Sequence, residues 1–187
     1  MSKKLLSRVE LIELWTRIAE DFGSTLGLPV DNGSSLVLKF EFESKFGNTE
    51  VKLADLASHS NKHGEDISSF KTSISTQITP VPRELFKLTL PPLFPGIVKR
   101  ILKDASIIQG SSVKYWLRTQ NEVLKEMVGK TDFITELEWF DSIYSELTDN
   151  QLITSTSTFL GKRDELTKLI NLHYSFLKLL TNNPHCA

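Results

Sequence analysis

Residues 34–42 alternate, with Leu36, Leu38, Phe40 and Phe42 out of phase with Val37, Lys39 and Glu41. A period of two predicts a strand with one buried face. Residues 70–78 repeat the pattern: Phe70, Thr72, Ile74, Thr76 and Ile78 share one face, and Lys71, Ser73, Ser75 and Gln77 the other. Between them, residues 44–48 read as a hairpin connection and 49–53 as its returning strand, with Val51 and Leu53 on one side. Residues 57–66 are polar and irregular and read as an exposed loop. Pro80 and Pro82 remove backbone donors and end the third strand, and residues 85–90 are a candidate fourth.

Elsewhere the period is helical. Leu5, Val9, Ile12, Trp15, Ile18, Ala19 and Phe22 recur at three- and four-residue steps, predicting a helix over 5–22 that Gly23 stops. Asp31-Asn32-Gly33 is a turn signal ahead of the first strand. Beyond the proline-rich residues 91–95, helices are expected over 97–105, over 113–128, and from Thr131 or Asp132 to Leu147. The second of these turns Val113, Trp116, Leu117, Val123, Leu124 and Met127 inward. The third carries Phe133, Ile134, Leu137, Phe140, Ile143, Tyr144 and Leu147 in a wide stripe. Residues 149–158 read as a loop or a short extended piece, and 162–181 as a last helix that Asn182-Asn183-Pro184 stops. The expected fold is α+β: a small antiparallel sheet of three to four strands, flanked by an N-terminal helix and a C-terminal set of three to four helices. Residues 1–187 form one domain, with a possible subdivision into 1–95, helix plus sheet, and 96–187, helical.

Composition narrows the function without naming it. At 187 residues, 40% hydrophobic and 24% charged, the chain can bury a core. Lysine and arginine number 22 against 23 acidic residues, a net charge of −1, so the basic excess usual for phosphate neutralisation is missing overall. The single cysteine, Cys186, permits no internal disulfide and favours a reducing compartment. The apolar start at Leu5 and Leu6 breaks at Arg8 and Glu10, unlike a signal peptide, and no run of 18 apolar residues suggests a membrane span. A cytoplasmic or nuclear protein with no membrane contact is expected.

Candidate chemistry is thin. His59 and His63 are four apart, with Glu65 and Asp66 following, but Asn61 and Gly64 oppose a helix and no third ligand is obvious. A solvated loop is the better reading, and no metal is expected. His173 sits in the apolar last helix and reads as a core or interface histidine. No Gly-x-Ser-x-Gly turn exists, and Glu136 and Glu138 are two apart on a helix and point to different sides. Gly161-Lys162 lacks the upstream glycine of a phosphate loop and has Arg163 where serine or threonine is needed. No cofactor and no enzymatic activity are expected.

The last helix is the anomaly, because its apolar positions cover more than half its circumference. Either the other helices wrap it, or part of it docks a partner. The expected function is a non-enzymatic subunit or adaptor of a larger complex, a hetero-complex rather than a homodimer. Its partner-binding candidates are Ile143, Leu147, Leu169, Leu172, Phe176 and Leu179. The alternative is a nucleic-acid-associated subunit using Lys99, Arg100, Lys103 and Lys114, and a small enzyme without a recognisable motif comes third.

Overall fold

The computed structural model describes residues 6–33, 35–60, 66–79, 85–91, 105–110, 114–140 and 142–181. In chain order the elements are α1 (Arg8–Asp21), β1 (Val30–Asp31), β2 (Ser35–Ser44), β3 (Gly47–Ser60), β4 (Asp66–Gln77), β5 (Lys87–Thr89), β6 (Ala105–Gln109), β7 (Lys114–Arg118), α2 (Glu122–Val128), α3 (Thr131–Leu137), β8 (Tyr144–Thr148), β9 (Gln151–Thr156) and α4 (Arg163–Thr181). The strands form one nine-stranded sheet in the order β1-β2-β3-β4-β9-β8-β5-β7-β6. Every pairing in it is antiparallel.

This overturns the small sheet of three to four strands. The opening strands are where the alternation puts them, although β3 continues to Ser60 and β4 begins at Asp66, so residues 57–60 and 66 of the expected polar loop are strand, and 61–65 lie outside the described residues. The larger difference lies in the C-terminal half. Of the helix expected over 97–105, residues 97–104 lie outside the described residues, and Ala105 opens β6. The helix expected over 113–128 is strand β7, then the two-turn α2, whose N-cap Asn121 accepts a hydrogen bond from the Leu124 amide at 3.1 Å. Lys114-Tyr115-Trp116-Leu117-Arg118 carries two aromatic residues that suit a pleated surface, and Tyr115, Trp116 and Leu117 are buried in succession. The helix expected to reach Leu147 stops at Leu137, and Ile143, Ser145 and Leu147 belong to β8 and its approach. A two-residue turn at Asp149-Asn150, with Asp149 at φ 39°, then folds β8 back on β9.

Register places the core on one face. Leu38 opposes Leu53, Phe40 opposes Val51, Val51 opposes Ile74, and Leu88 opposes Ser145 and Leu117. Helices α1 and α4 cover that face. Ser7 caps α1 reciprocally with Glu10, and its buried row is Leu11, Trp15, Ile18 and Ala19, with the Trp15 ring 6.0 Å from Phe40. Val9, expected inside, is 65% exposed. Arg8 pins the hairpin at the sheet edge, donating to Asp31 at 2.5 Å and to the Gly33 carbonyl at 2.9 Å. The Gly33 amide, then Arg8, hold the Asp31 carboxyl below its usual range. Gly33 adopts φ 81° in that turn, and Gly23 adopts φ 68° after α1.

Helix α4 lies across β4 and β9. It buries Leu166, Leu169, Ile170, Leu172, His173, Phe176, Leu177 and Leu180. A nine-stranded sheet presents far more apolar surface than a small one, and that surface absorbs the wide stripe. The opposite face carries cross-strand charge pairs, Lys39 with Glu50 at 3.4 Å and Lys87 with Glu146 at 2.9 Å. No helix among the described residues is long and apolar enough to cross a membrane.

Candidate functional site

Burial sorts the residues singled out for partner binding. Ile143, Leu169, Leu172 and Phe176 are each at most 1% exposed, inside the core. Phe176 packs between Phe86 and Phe133, with ring centroids 5.2 and 5.0 Å away. Leu147 and Leu179 are half-buried against the same core. An interface through the first four would require the core to open. Of the basic candidates, Lys114 is exposed at the start of β7, while Lys99, Arg100 and Lys103 lie outside the described residues. His59 pairs with Ile67 between β3 and β4; His63 and Glu65 lie outside the described residues, as does Cys186. No group of three or more metal-ligating side chains occurs among the described residues.

Apolar side chains are instead left outside on the shorter helices. Leu124 and Val128 of α2 point inward, but Val123 and Met127, one turn apart, are 49% and 36% exposed. Trp139, just past α3, is 62% exposed, and the Lys168 ammonium of α4 sits 2.8 Å from its ring centroid. One continuous helix over 113–128 would turn Val123 and Met127 inward; the break between β7 and α2 leaves them outside.

Beneath α4 runs a buried polar chain. The His173 ring binds Thr154 Oγ1 through Nδ1 and Thr76 Oγ1 through Nε2, each at 2.9 Å. Thr154 continues to Ser145 at 2.9 Å, and Thr76 continues to Thr49 at 3.0 Å. Hydroxyls both donate and accept, so either neutral tautomer of the ring is satisfied. Burial drives the His173 pKa down to about 3, so the ring is neutral at physiological pH. The chain ties β8, β9, β4 and β3 to one helix position.

At one end of the sheet a cavity of about 500 Å³ opens between the ends of β4, β9, β8 and β5, lined by residues from both faces. Lys71, Ser155, Tyr144 and Thr89 line it from four neighbouring strands. Phe70, Leu90 and Ile143 supply its apolar wall. Pairing sets this grouping: Tyr144 opposes Ser155, and Thr72 opposes Thr156, so residues far apart in sequence meet at one end of the sheet. Alternation alone marks Lys71 as outward, but the neighbours it meets depend on β8, which reads as helix from the sequence, and on β9, which reads as a loop or a short extended piece.

Comparison with known protein families, with curated proteins and with solved structures finds no match to this chain. Its own geometry therefore carries the functional argument.

Proposed function

We propose that this chain is a non-enzymatic subunit or adaptor of a larger protein complex in the cytoplasm or nucleus, and that a different protein covers the outer row of α2 and Trp139. The observation that supports this reading is the two-sided apolar character of α2. Its inner row, Leu124 and Val128, is fully buried, while Val123 and Met127 remain in water. Covering such side chains stabilises an assembly by about 1 kcal/mol each when half of their surface is already buried. Trp139 adds a large ring of the kind that anchors interfaces. The surface moves from α4, whose apolar residues pack on the sheet, to the flank formed by α2 and the end of α3.

The test is capture from native cells of the wild-type chain beside a Val123→Asp/Met127→Asp double variant and Trp139→Ala. Both variants are expected to keep the wild-type melting temperature and to lose a near-stoichiometric partner. A partner retained by both, or a wild-type chain recovered alone and monomeric, rejects the proposal.

A further inference from the structure

The cavity between β4, β9, β8 and β5 has a chemistry that the adaptor reading does not use. Ser155 is only 3% exposed, and its hydroxyl has no hydrogen-bond partner among the described residues. Its oxygen is not sealed from solvent but opens on the cavity that it lines, where a bound ligand can supply the partner. The hydroxyls of Thr89 and Tyr144 are likewise unpartnered among the described residues. Lys71 has no acidic partner among them either. Ser142 and Ser157 form a pair at 2.5 Å on the same rim. No carboxylate stands among the described lining residues. Glu146, two positions along β8 from Tyr144, is engaged by Lys87 at 2.9 Å.

We propose that this cavity binds a small amphipathic carboxylate. Lys71 supplies the counter-charge, Ser155, Thr89 and Tyr144 supply O–H donors, and Phe70, Leu90 and Ile143 take the apolar body. The volume lies within the range of small-ligand pockets, which are mostly apolar with a few convergent polar groups. One lysine with neutral hydroxyls matches a monoanion. A phosphate dianion would be left with uncompensated charge, and such groups are usually met by arginine forks or several cations. This inference stands apart from the adaptor reading and survives its failure.

The probes are 3-phenylpropionate and its uncharged isostere 3-phenylpropan-1-ol, titrated into the full chain and followed by amide NMR shifts and calorimetry. Saturable shifts at Phe70, Tyr144 and Ser155 are expected, with the alcohol weaker by about tenfold or more, as for loss of a charge-assisted contact. Lys71→Gln, an exposed change, should reduce the carboxylate to the affinity of the alcohol at an unchanged melting temperature. Ser155→Ala should weaken it severalfold. Absence of saturable shifts overturns the proposal. So does equal binding of acid and alcohol that Lys71→Gln leaves alone. Tighter binding of 3-phenylpropyl phosphate would overturn the assignment of a monoanionic carboxylate.

Discussion

Thr154 and Ser155 are neighbours on β9, both nearly inaccessible to solvent, and the pleat sends them to opposite faces. Thr154 meets His173 and Ser145 beneath α4 and is fully engaged. Ser155 meets a cavity and is engaged by nothing among the described residues. On the helix side, hydroxyls are consumed by the fold, with Thr72 Oγ1 as the exception, buried without a partner. On the other side, the Ser155 hydroxyl opens on the cavity without a partner among the described residues, as do those of the half-buried Thr89 and Tyr144. The difference separates polar groups that hold the sheet to its helix from polar groups free to meet something else.

The strongest way to break that division is to charge the helix side. Leu169 is 0% exposed, and Leu169→Asp would bury an unpaired carboxylate. A loss of about 4 kcal/mol or more is expected, enough to unfold a typical domain. Circular dichroism melting reads it directly. A folded Leu169→Asp chain would mean that α4 is more accessible than its burial shows. Next comes His173→Ala, which removes a packed ring and leaves Thr76 and Thr154 each short of a partner. About 3 kcal/mol is expected from the combined void and unpaired hydroxyls, measured by urea unfolding.

The same ring predicts a pH dependence. His173 is neutral in the folded chain down to about pH 3, whereas an unfolded histidine takes up its proton near pH 6.5. The folded pKa lies below the unfolded value, so the contribution is complete above pH 6.5 and is lost as pH falls from 6.5 towards 3. Between those limits the unfolded state binds the extra proton, and stability falls by up to about 1.4 kcal/mol per pH unit from this group. Carboxylates add their own slopes, so the informative quantity is the difference between wild type and His173→Gln over pH 4–6.5. The variant should lose stability less steeply. Parallel curves would show that the ring is not the buried neutral group described above.

How much of this could be read from the residues depends on which side chain occupies each buried position. β2 and β4 were legible because Leu36, Leu38 and Phe40, or Phe70 and Ile74, mark one face against charged or hydroxyl neighbours. The final helix was legible from its three- and four-residue steps, and its bounds match α4 closely. β8 was not. Its inward positions are Ile143, Ser145 and Leu147, and a serine in the middle erases the alternation. Ser145 is nonetheless buried, because Thr154 across the strand pair satisfies its hydroxyl. Read with Phe133, Leu137 and Phe140, the same leucine and isoleucine fit a helix equally well. The cavity was hidden for a related reason, since Lys71, Thr89, Tyr144 and Ser155 become neighbours only once β8 and β9 enter the sheet. His173 reads from the sequence as a core or interface histidine; the structure places it in the core, and its two threonine partners, 19 and 97 residues away, follow from register alone.

The smallest effects discriminate most sharply, because they compare adjacent residues on one strand. Thr154→Val keeps the shape of the side chain but removes the hydroxyl shared by His173 and Ser145, and should cost about 1–2 kcal/mol. Ser155→Ala removes a hydroxyl with no partner within the described fold, and should change stability by less than about 0.5 kcal/mol. Denaturant unfolding of the two variants, measured side by side at pH 7 where His173 is neutral, gives the contrast. Equal losses would mean that Ser155 is held by the protein itself, and the face opposite the helices would then lose its claim to spare donors. A clear loss at Thr154 beside near-neutrality at Ser155 would leave a hydroxyl at core depth that the fold does not need, next to a cavity able to use it.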